Sequence, residues 1–162
     1  MNRLRSPDFE VPRDGLLSAH DELVHVLAAQ CRALARTEGV SFEVGGFGQD
    51  RWPVDVETDL AVVLEQLPGV FSGLRRRGEP FKLDFYEQGI ERFLTCTPTD
   101  DRVTFECASA ALHWSPGPAV EIVGSAEAER MFRALHTTYA TAVERVCPWL
   151  ARALAFERWR DD

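Results

Sequence analysis

The sequence predicts an α+β domain in which an antiparallel sheet of about five strands is packed by helices. Two observations predict this class. Residues 81–107 alternate apolar and polar side chains in three runs separated by turn signals, as the strands of an antiparallel meander do. Three other segments, near residues 16–37, 58–77 and 125–160, repeat apolar residues at the 3.6-residue spacing of amphipathic helices.

The meander can be paired with itself, without help from another segment. A two-residue turn at Gln88 and Gly89, where glycine tolerates positive φ, joins strands 81–86 and 90–97. That turn sets three pairs opposite each other: Phe85 and Arg92, Leu83 and Leu94, Phe81 and Cys96. A second turn at residues 98–101 leads into strand 102–107 and sets Cys96 opposite Val103 and Leu94 opposite Phe105.

This pairing gives the meander two chemically different faces, because successive side chains of a strand point to opposite sides. One face is apolar and is predicted to lie in the core: Phe81, Leu83, Phe85, Leu94, Cys96, Val103, Phe105 and Cys107. The second, which we call the outer face, is polar but carries two aromatic rings: Lys82, Asp84, Tyr86, Glu91, Phe93, Thr95, Arg102, Thr104 and Glu106.

The remaining elements follow from the same patterns. Residues 40–45 and 52–56 are predicted as two further strands, and the glycine run between them is predicted to be a hairpin connection or a bulge. A sixth strand is predicted at a sheet edge near Ala119. The central helix is expected to kink or split at Pro68, and the C-terminal helix is expected to break at Pro148. Residues 1–14 have no periodicity and are predicted to be a loosely ordered arm.

Length and charge limit what the chain can be. At 162 residues it fits one domain, spanning residues 1–162, with 45% hydrophobic and 27% charged residues. The formal net charge of −8 favours basic partners and disfavours nucleic acid. No apolar run is long enough for a membrane span or a signal peptide, so we expect a cytoplasmic protein. Lys82 is the only lysine, a bias typical of GC-rich bacterial genomes of the actinobacterial type.

No catalytic or cofactor motif is present. The four cysteines have no metal-ligand spacing and are predicted to be buried, unpaired thiols, so neither a metal nor a cofactor is expected. The glycine run 45–48 lacks the lysine and hydroxyl of a phosphate-binding loop. An enzyme remains an alternative, as a hydrolase or transferase whose fold brings together carboxylates such as Asp84 and Glu106 with His113.

A protein-binding role is the leading hypothesis, and it rests on the outer face. Aromatic rings among carboxylates suit a basic protein surface, since rings give apolar contact area and acids give selectivity. The predicted binding residues are Asp84, Tyr86, Glu91, Phe93 and Glu106. The opposing interpretation is that a helix covers this face and makes Tyr86 and Phe93 part of the core. A homodimer formed through a strand edge or the arginines at 75–77 is a third alternative.

A resemblance adds to these residues. The phrase DFYEQGIER at residues 84–92, a charged strand, a Trp-Pro loop and a long C-terminal helix together resemble small bacterial α+β domains, some of which are similar to immunity proteins of toxin systems. The resemblance covers about the middle third of the chain. It implies an antidote that binds and blocks a cognate, often basic, toxin, and it assigns no individual contact residue.

Overall fold

Four strands form one antiparallel sheet in the order β1-β2-β3-β4, preceded by two helices and followed by two. The computed structural model describes residues 19–151, and the side chains of residues 22–151. The predicted arm at 1–14 and the outer ends of the first and last predicted helices lie outside these residues. The elements are α1 (Ala19–Ala35), α2 (Asp59–Arg75), β1 (Phe81–Phe85), β2 (Arg92–Pro98), β3 (Arg102–Ser109), β4 (Val120–Gly124), α3 (Ser125–Val146) and α4 (Pro148–Ala151).

The meander is present, and the predicted register of its first pair is confirmed: β1 and β2 align Phe85 with Arg92 and Phe81 with Cys96. The prediction of a two-residue turn between these strands is wrong. Residues 86–91 form a longer loop in which the N–H groups of Ile90 and Glu91 both donate to the Glu87 carbonyl, at 3.2 Å each. This loop turns the Ile90 side chain into the core, where it is 2% exposed.

The predicted register of β2 with β3 is wrong by two residues. Cys96 lies opposite Phe105 rather than Val103, and Leu94 lies opposite Cys107 rather than Phe105. The cause is a tighter turn, closed by a 2.7 Å hydrogen bond from the Thr99 N–H to the Arg102 carbonyl. A shift of two residues leaves every side chain on its predicted face. The core face is therefore as expected, with Phe81 partly buried and the other seven side chains buried.

The two strands predicted at 40–45 and 52–56 do not form, so the sheet has four strands rather than about five. Phe42, Trp52 and Val56 are buried, so the apolar residues do reach the core. The backbone between them makes the Gly46–Gln49 bridge and a 2.7 Å bond from the Trp52 N–H to the Val44 carbonyl, and it pairs with no strand of the described sheet. These segments are therefore extended chain packed on the core. The edge strand expected near Ala119 is present as β4.

Helices α2 and α3 pack on the core face of the sheet, and α1 packs on both of these helices. The Tyr139 hydroxyl of α3 donates to Gln30 Oε1 on α1, and Gln30 Nε2 donates to the Leu150 carbonyl at 3.0 Å. α2 continues through Pro68 as one helix, so the predicted split does not occur. Pro68 is on the exposed side, where its ring displaces no core side chain. The predicted break at Pro148 is confirmed.

The four cysteines are free and buried, as predicted. Within residues 19–151, no helix combines the length and apolarity needed to cross a membrane.

Candidate functional site

The outer face of the sheet is open to solvent in the described structure. Phe93 is 36% exposed and Tyr86 is 49% exposed, so neither ring is a core residue. Glu106 is exposed, while Asp84 and Glu91 are half-buried. No helix within residues 19–151 covers this face, because α2 and α3 occupy the opposite one.

The register determines how the predicted binding residues are arranged. Phe93 lies between Asp84 on β1 and Ala108 on β3. Glu106 lies opposite Thr95 rather than opposite Phe93, because the register differs from the predicted one by two residues. The predicted register implied that Phe93 lies directly between two acids, and it does not. Tyr86 and Glu91 lie in the loop beyond the last pair of the ladder, rather than opposite each other in it.

Tyr86 is fixed to the helix layer by its hydroxyl, which donates to Glu65 Oε1 on α2. Burial of the ring raises the pKa of Tyr86, and the hydrogen bond to the Glu65 carboxylate raises it further. The phenol is therefore neutral at physiological pH, and its hydroxyl lies at the boundary between the sheet and α2.

β4 extends the outer face with apolar side chains that the sequence hypothesis did not include. Val120 lies opposite Glu106 and Ile122 lies opposite Thr104, and the two side chains are 46% and 60% exposed. Single exposed aliphatic side chains are common on protein surfaces. Neighbouring exposed ones on one face of a sheet form an apolar patch, which is typical of a contact surface.

A second polar site lies inside the protein, at the end of β2, and is centred on a buried arginine. Arg92 is 2% exposed and points to the core face. Its guanidinium carbon lies 3.5 Å from the ring centroid of Trp114 and 4.3 Å from that of Trp52. Because the two centroids are themselves only 6.0 Å apart, the guanidinium sits in the corner between the rings rather than sandwiched by them. Nη2 donates to Gln49 Oε1 at 2.6 Å. We call Arg92, Gln49, Trp52 and Trp114 the arginine corner.

The glycine run contacts this corner, since Gln49 accepts from Arg92 and the Gly46 carbonyl accepts from Trp52 Nε1–H at 3.2 Å. Gly46 and Gln49 exchange two backbone hydrogen bonds, of 2.9 and 3.1 Å, around Phe47 and Gly48. Both central residues have positive φ, 56° and 82°, as a type I′ hairpin turn requires, so the predicted hairpin connection is present.

Besides the Gln49–Arg92 bond, two hydrogen bonds of the Phe47 backbone hold this hairpin against the rest of the domain. Its N–H donates to Glu121 Oε1 of β4 at 2.5 Å, and its carbonyl accepts from the Gly117 N–H at 2.9 Å. A Cβ at Gly48 would lie 2.0 Å from the Gly117 carbonyl oxygen, so the close approach requires glycine.

The arginine corner holds a positive charge that the described residues do not balance. Within residues 22–151, no acceptor bonds Arg92 Nε or Nη1, and none of the salt bridges includes Arg92. Burial lowers the pKa of Arg92, but an arginine remains protonated in proteins. Each cation–π contact returns about 0.5–2 kcal/mol, whereas an unbonded buried donor costs about 1–3 kcal/mol and an unpaired buried charge several more.

Sequence reasoning missed Arg92, although a signal for it was present. The predicted register placed Arg92 opposite Phe85, which assigns a charged residue to the core face. A charged side chain at a core position needs a partner. The sequence therefore indicates a polar site around Arg92, even without knowledge that Trp52 and Trp114 lie beside it.

The carboxylates of the enzyme alternative are not brought together. Asp84 and Glu106 are separated by β2, on strands that do not pair, and His113 lies in the loop after β3. Among the described residues, no three His, Cys, Asp or Glu side chains are placed to hold a metal ion. The enzyme hypothesis stays a prediction without a site.

No protein-family model, curated protein or solved structure matches this chain.

Proposed function

We propose that this chain is a non-catalytic protein-binding domain that holds a basic protein partner on the outer face of its sheet. Support comes first from exposure, because Phe93 and Tyr86 are open to solvent instead of being covered by a helix. With Val120 and Ile122, they supply the apolar contact area that a stable interface needs at its centre.

Charge supports a basic partner. Asp84 and Glu91 lie at the end of the outer face that carries Phe93, Glu65 of α2 bonds the Tyr86 hydroxyl beside it, and the chain as a whole has a net charge of −8. Such a field accelerates encounter with a positively charged surface and disfavours acidic proteins. Lys82 and Arg102 lie farther along the same face, so they set the orientation of the partner rather than oppose its binding.

An immunity-type role is the specific form of this function that we favour. Its basis is the resemblance of residues 84–92, the Trp-Pro loop and the C-terminal helix to small bacterial domains similar to immunity proteins. An inhibitor of this type needs an exposed, preformed surface, and the exposure of Tyr86 and Phe93 supports that requirement.

The test is partner capture followed by quantitative binding. The full chain and a Tyr86→Ala/Phe93→Ala variant are used to capture proteins from the source bacterium, including its secreted proteins. We expect a basic protein to be retained by the unmodified chain and lost from the variant. With the purified partner, the double substitution should weaken binding by about 100-fold, since two interface aromatics at about 1–2 kcal/mol each combine. Co-expression then tests whether the chain restores growth in cells that produce the partner.

The matched control removes exposed apolar side chains elsewhere. Met131→Ala/Trp149→Ala changes residues that are 51% and 63% exposed on α3 and α4, and it should leave binding unchanged. Equal loss of the partner from both variants, or no loss from either, would contradict binding through the outer face. A basic partner bound through this face without growth rescue would contradict the immunity role alone.

A homo-oligomer is the second candidate, and the free edge of β4 favours it. The Cys107 N–H donates to the Ala119 carbonyl at 2.8 Å, and alternation along the ladder then points the backbone groups of Val120 and Ile122 away from β3. No described residue forms a hydrogen bond with these outward-pointing backbone N–H and C=O groups of Val120 and Ile122. The other edge of the sheet is closed, because Gln66 of α2 bonds the backbone of Asp84.

An antiparallel pair of β4 strands centred on Ile122 would place Glu121 opposite Val123 of the second copy, avoiding a like-charge pair. Ile122→Lys should then abolish a dimer seen by analytical ultracentrifugation. Salt separates the two candidates: added salt should strengthen association between two copies of charge −8 and weaken binding of a basic partner. A monomer at all salt concentrations removes the second candidate.

A further inference from the structure

We propose that Arg92 is the centre of a binding site for a small monovalent anion, a carboxylate or a halide, enclosed in the arginine corner. This site is separate from the outer face, since Arg92 belongs to the opposite side of the sheet. The starting observation is the combination of a 2% exposed guanidinium, no carboxylate partner, and two nitrogens, Nε and Nη1, without a hydrogen-bond acceptor in the described chain.

The neighbouring polar groups cannot supply the missing charge. Gln49 accepts from Nη2 but is neutral. The Cys107 thiol is near Arg92, but burial raises its pKa, so it is not a thiolate at physiological pH. The Glu121 carboxylate accepts the Phe47 N–H at 2.5 Å, and none of the salt bridges among the described residues joins it to Arg92. A bound anion would accept from Nε and Nη1 in charge-assisted hydrogen bonds and neutralise the cation.

The surroundings select for size and charge. Trp114 and Trp52 occupy two sides of the guanidinium, at 3.5 and 4.3 Å from their ring centroids, and the Gly46–Gln49 hairpin contacts it through the Gln49 side chain. Aromatic walls offer few groups to solvate a second negative charge, so a dianion such as phosphate would lose more hydration than Arg92 could replace. A small monoanion has the lower desolvation cost and matches the single positive charge.

The experiment uses the full chain with chloride, acetate and phosphate as probes, added as sodium salts to a low-salt zwitterionic buffer. Trp52 and Trp114 flank the site, so tryptophan fluorescence is the readout, with thermal unfolding measured in parallel. We expect chloride and acetate to give saturable changes with dissociation constants between about 0.1 and 10 mM, and phosphate to bind at least tenfold more weakly. The melting temperature should rise over the same concentration range.

Arg92→Met is the test variant, since it removes the charge and retains an unbranched side chain; it should lose the saturable response. Arg51→Met is the matched control, because Arg51 lies in the neighbouring loop with its side chain 71% exposed, and it should respond as the unmodified chain does. Crystals of the unmodified chain soaked in sodium bromide give a readout that does not depend on any variant folding. We expect an anomalous bromine peak beside Arg92 Nε and Nη1.

Three results would overturn the site: identical anion responses in the unmodified chain and Arg92→Met, tighter binding of phosphate than of both monoanions, or no bromine peak at Arg92. A bromine peak without a saturable response in solution would show binding at crystal concentration only, and would also overturn it.

Discussion

Gln66 and Asp84 form two hydrogen bonds of 2.8 Å each, in which the Gln66 amide donates to the Asp84 carbonyl and accepts from the Asp84 N–H. A side-chain amide on α2 therefore makes the bonds that a neighbouring strand would make with β1. Gln66 Nε2 also donates to the Val62 carbonyl of its own helix at 2.8 Å, which fixes its orientation. This is a direct way to close a sheet edge against pairing with another chain.

Gln66→Leu should lower the free energy of unfolding by about 1–3 kcal/mol, because it leaves a backbone donor and acceptor of Asp84 unpaired at a half-buried edge. Urea denaturation measures the change. Gln88→Leu is the matched control, since Gln88 is exposed in the 86–91 loop, and it should change stability by less than about 0.5 kcal/mol. Equal effects of the two substitutions would show that the edge contact contributes nothing.

Two glycines in α2 should respond to alanine in opposite directions. A Cβ at Gly69 meets nothing within 4 Å, so Gly69→Ala should stabilise by about 0.5–1 kcal/mol through helix propensity. A Cβ at Gly73 would lie 2.4 Å from the Phe81 ring, so Gly73→Ala should destabilise by about 1–3 kcal/mol. The difference isolates the contact between α2 and β1, since both positions are in one helix. Thermal and urea unfolding of the pair should rank Gly69→Ala above the unmodified chain and Gly73→Ala below it; the reverse order would refute this packing.

The faces of the meander were predictable, but its full register was not. Alternation of period two assigns each side chain to a face and cannot distinguish registers that differ by two residues. Cys96 therefore keeps its place in the core whether it pairs with Val103 or with Phe105. The turn decides between these registers, and a run such as Pro-Thr-Asp-Asp allows turns of more than one length.

The same limit explains the strands that do not form. Residues 40–44 alternate in burial as a strand does, with Phe42 buried and Ser41 and Glu43 exposed. Alternation reports contact with the core, whereas strand formation also requires a neighbouring backbone with free donors and acceptors. At β1 that position is taken by Gln66, which no local sequence pattern indicates.

The two candidate sites also differ in how much of each could be predicted from the sequence. Asp84, Phe93 and Glu106 could be placed on one face from the sequence, because face is a local property. Whether a helix covers that face depends on where distant segments pack, so the exposure of Phe93 had to be seen in the structure. The arginine corner joins residues from three separate segments, and only the position of Arg92 on the core face signalled it.

The thiols should be unreactive in the folded protein. Burial raises the pKa of Cys31 and of Cys96 to about 12 each, and burial also raises the pKa values of Cys107 and Cys147. Because the thiolate is the reactive form, reaction of Cys31 and Cys96 in the native chain with Ellman's reagent at pH 8 should be about 1,000-fold slower than in denaturant, and reaction of Cys107 and Cys147 should also be slower. Four equivalents should react after unfolding. A thiol that reacts rapidly in the native state would contradict this packing.

The titration of Asp59 should make folding more favourable at acidic pH, whereas the titration of most carboxylates makes folding less favourable there. Asp59 is 4% exposed at the start of α2, and burial raises its pKa above the ordinary 3.8, partly offset by a 2.8 Å hydrogen bond from the Asp55 N–H. A group whose folded-state pKa is raised contributes stability that is fully present below pH 3.8 and is lost as pH rises through the folded value.

Asp59→Asn removes this titration and leaves an amide oxygen to accept from Asp55. The unmodified chain should therefore lose stability relative to Asp59→Asn as pH rises above 3.8. Urea denaturation of both proteins at several pH values measures the difference, and Glu57→Gln, an exposed neighbour, serves as control. A difference that is constant with pH, or that favours the unmodified chain as pH rises, would show that the Asp59 carboxylate is not penalised by burial.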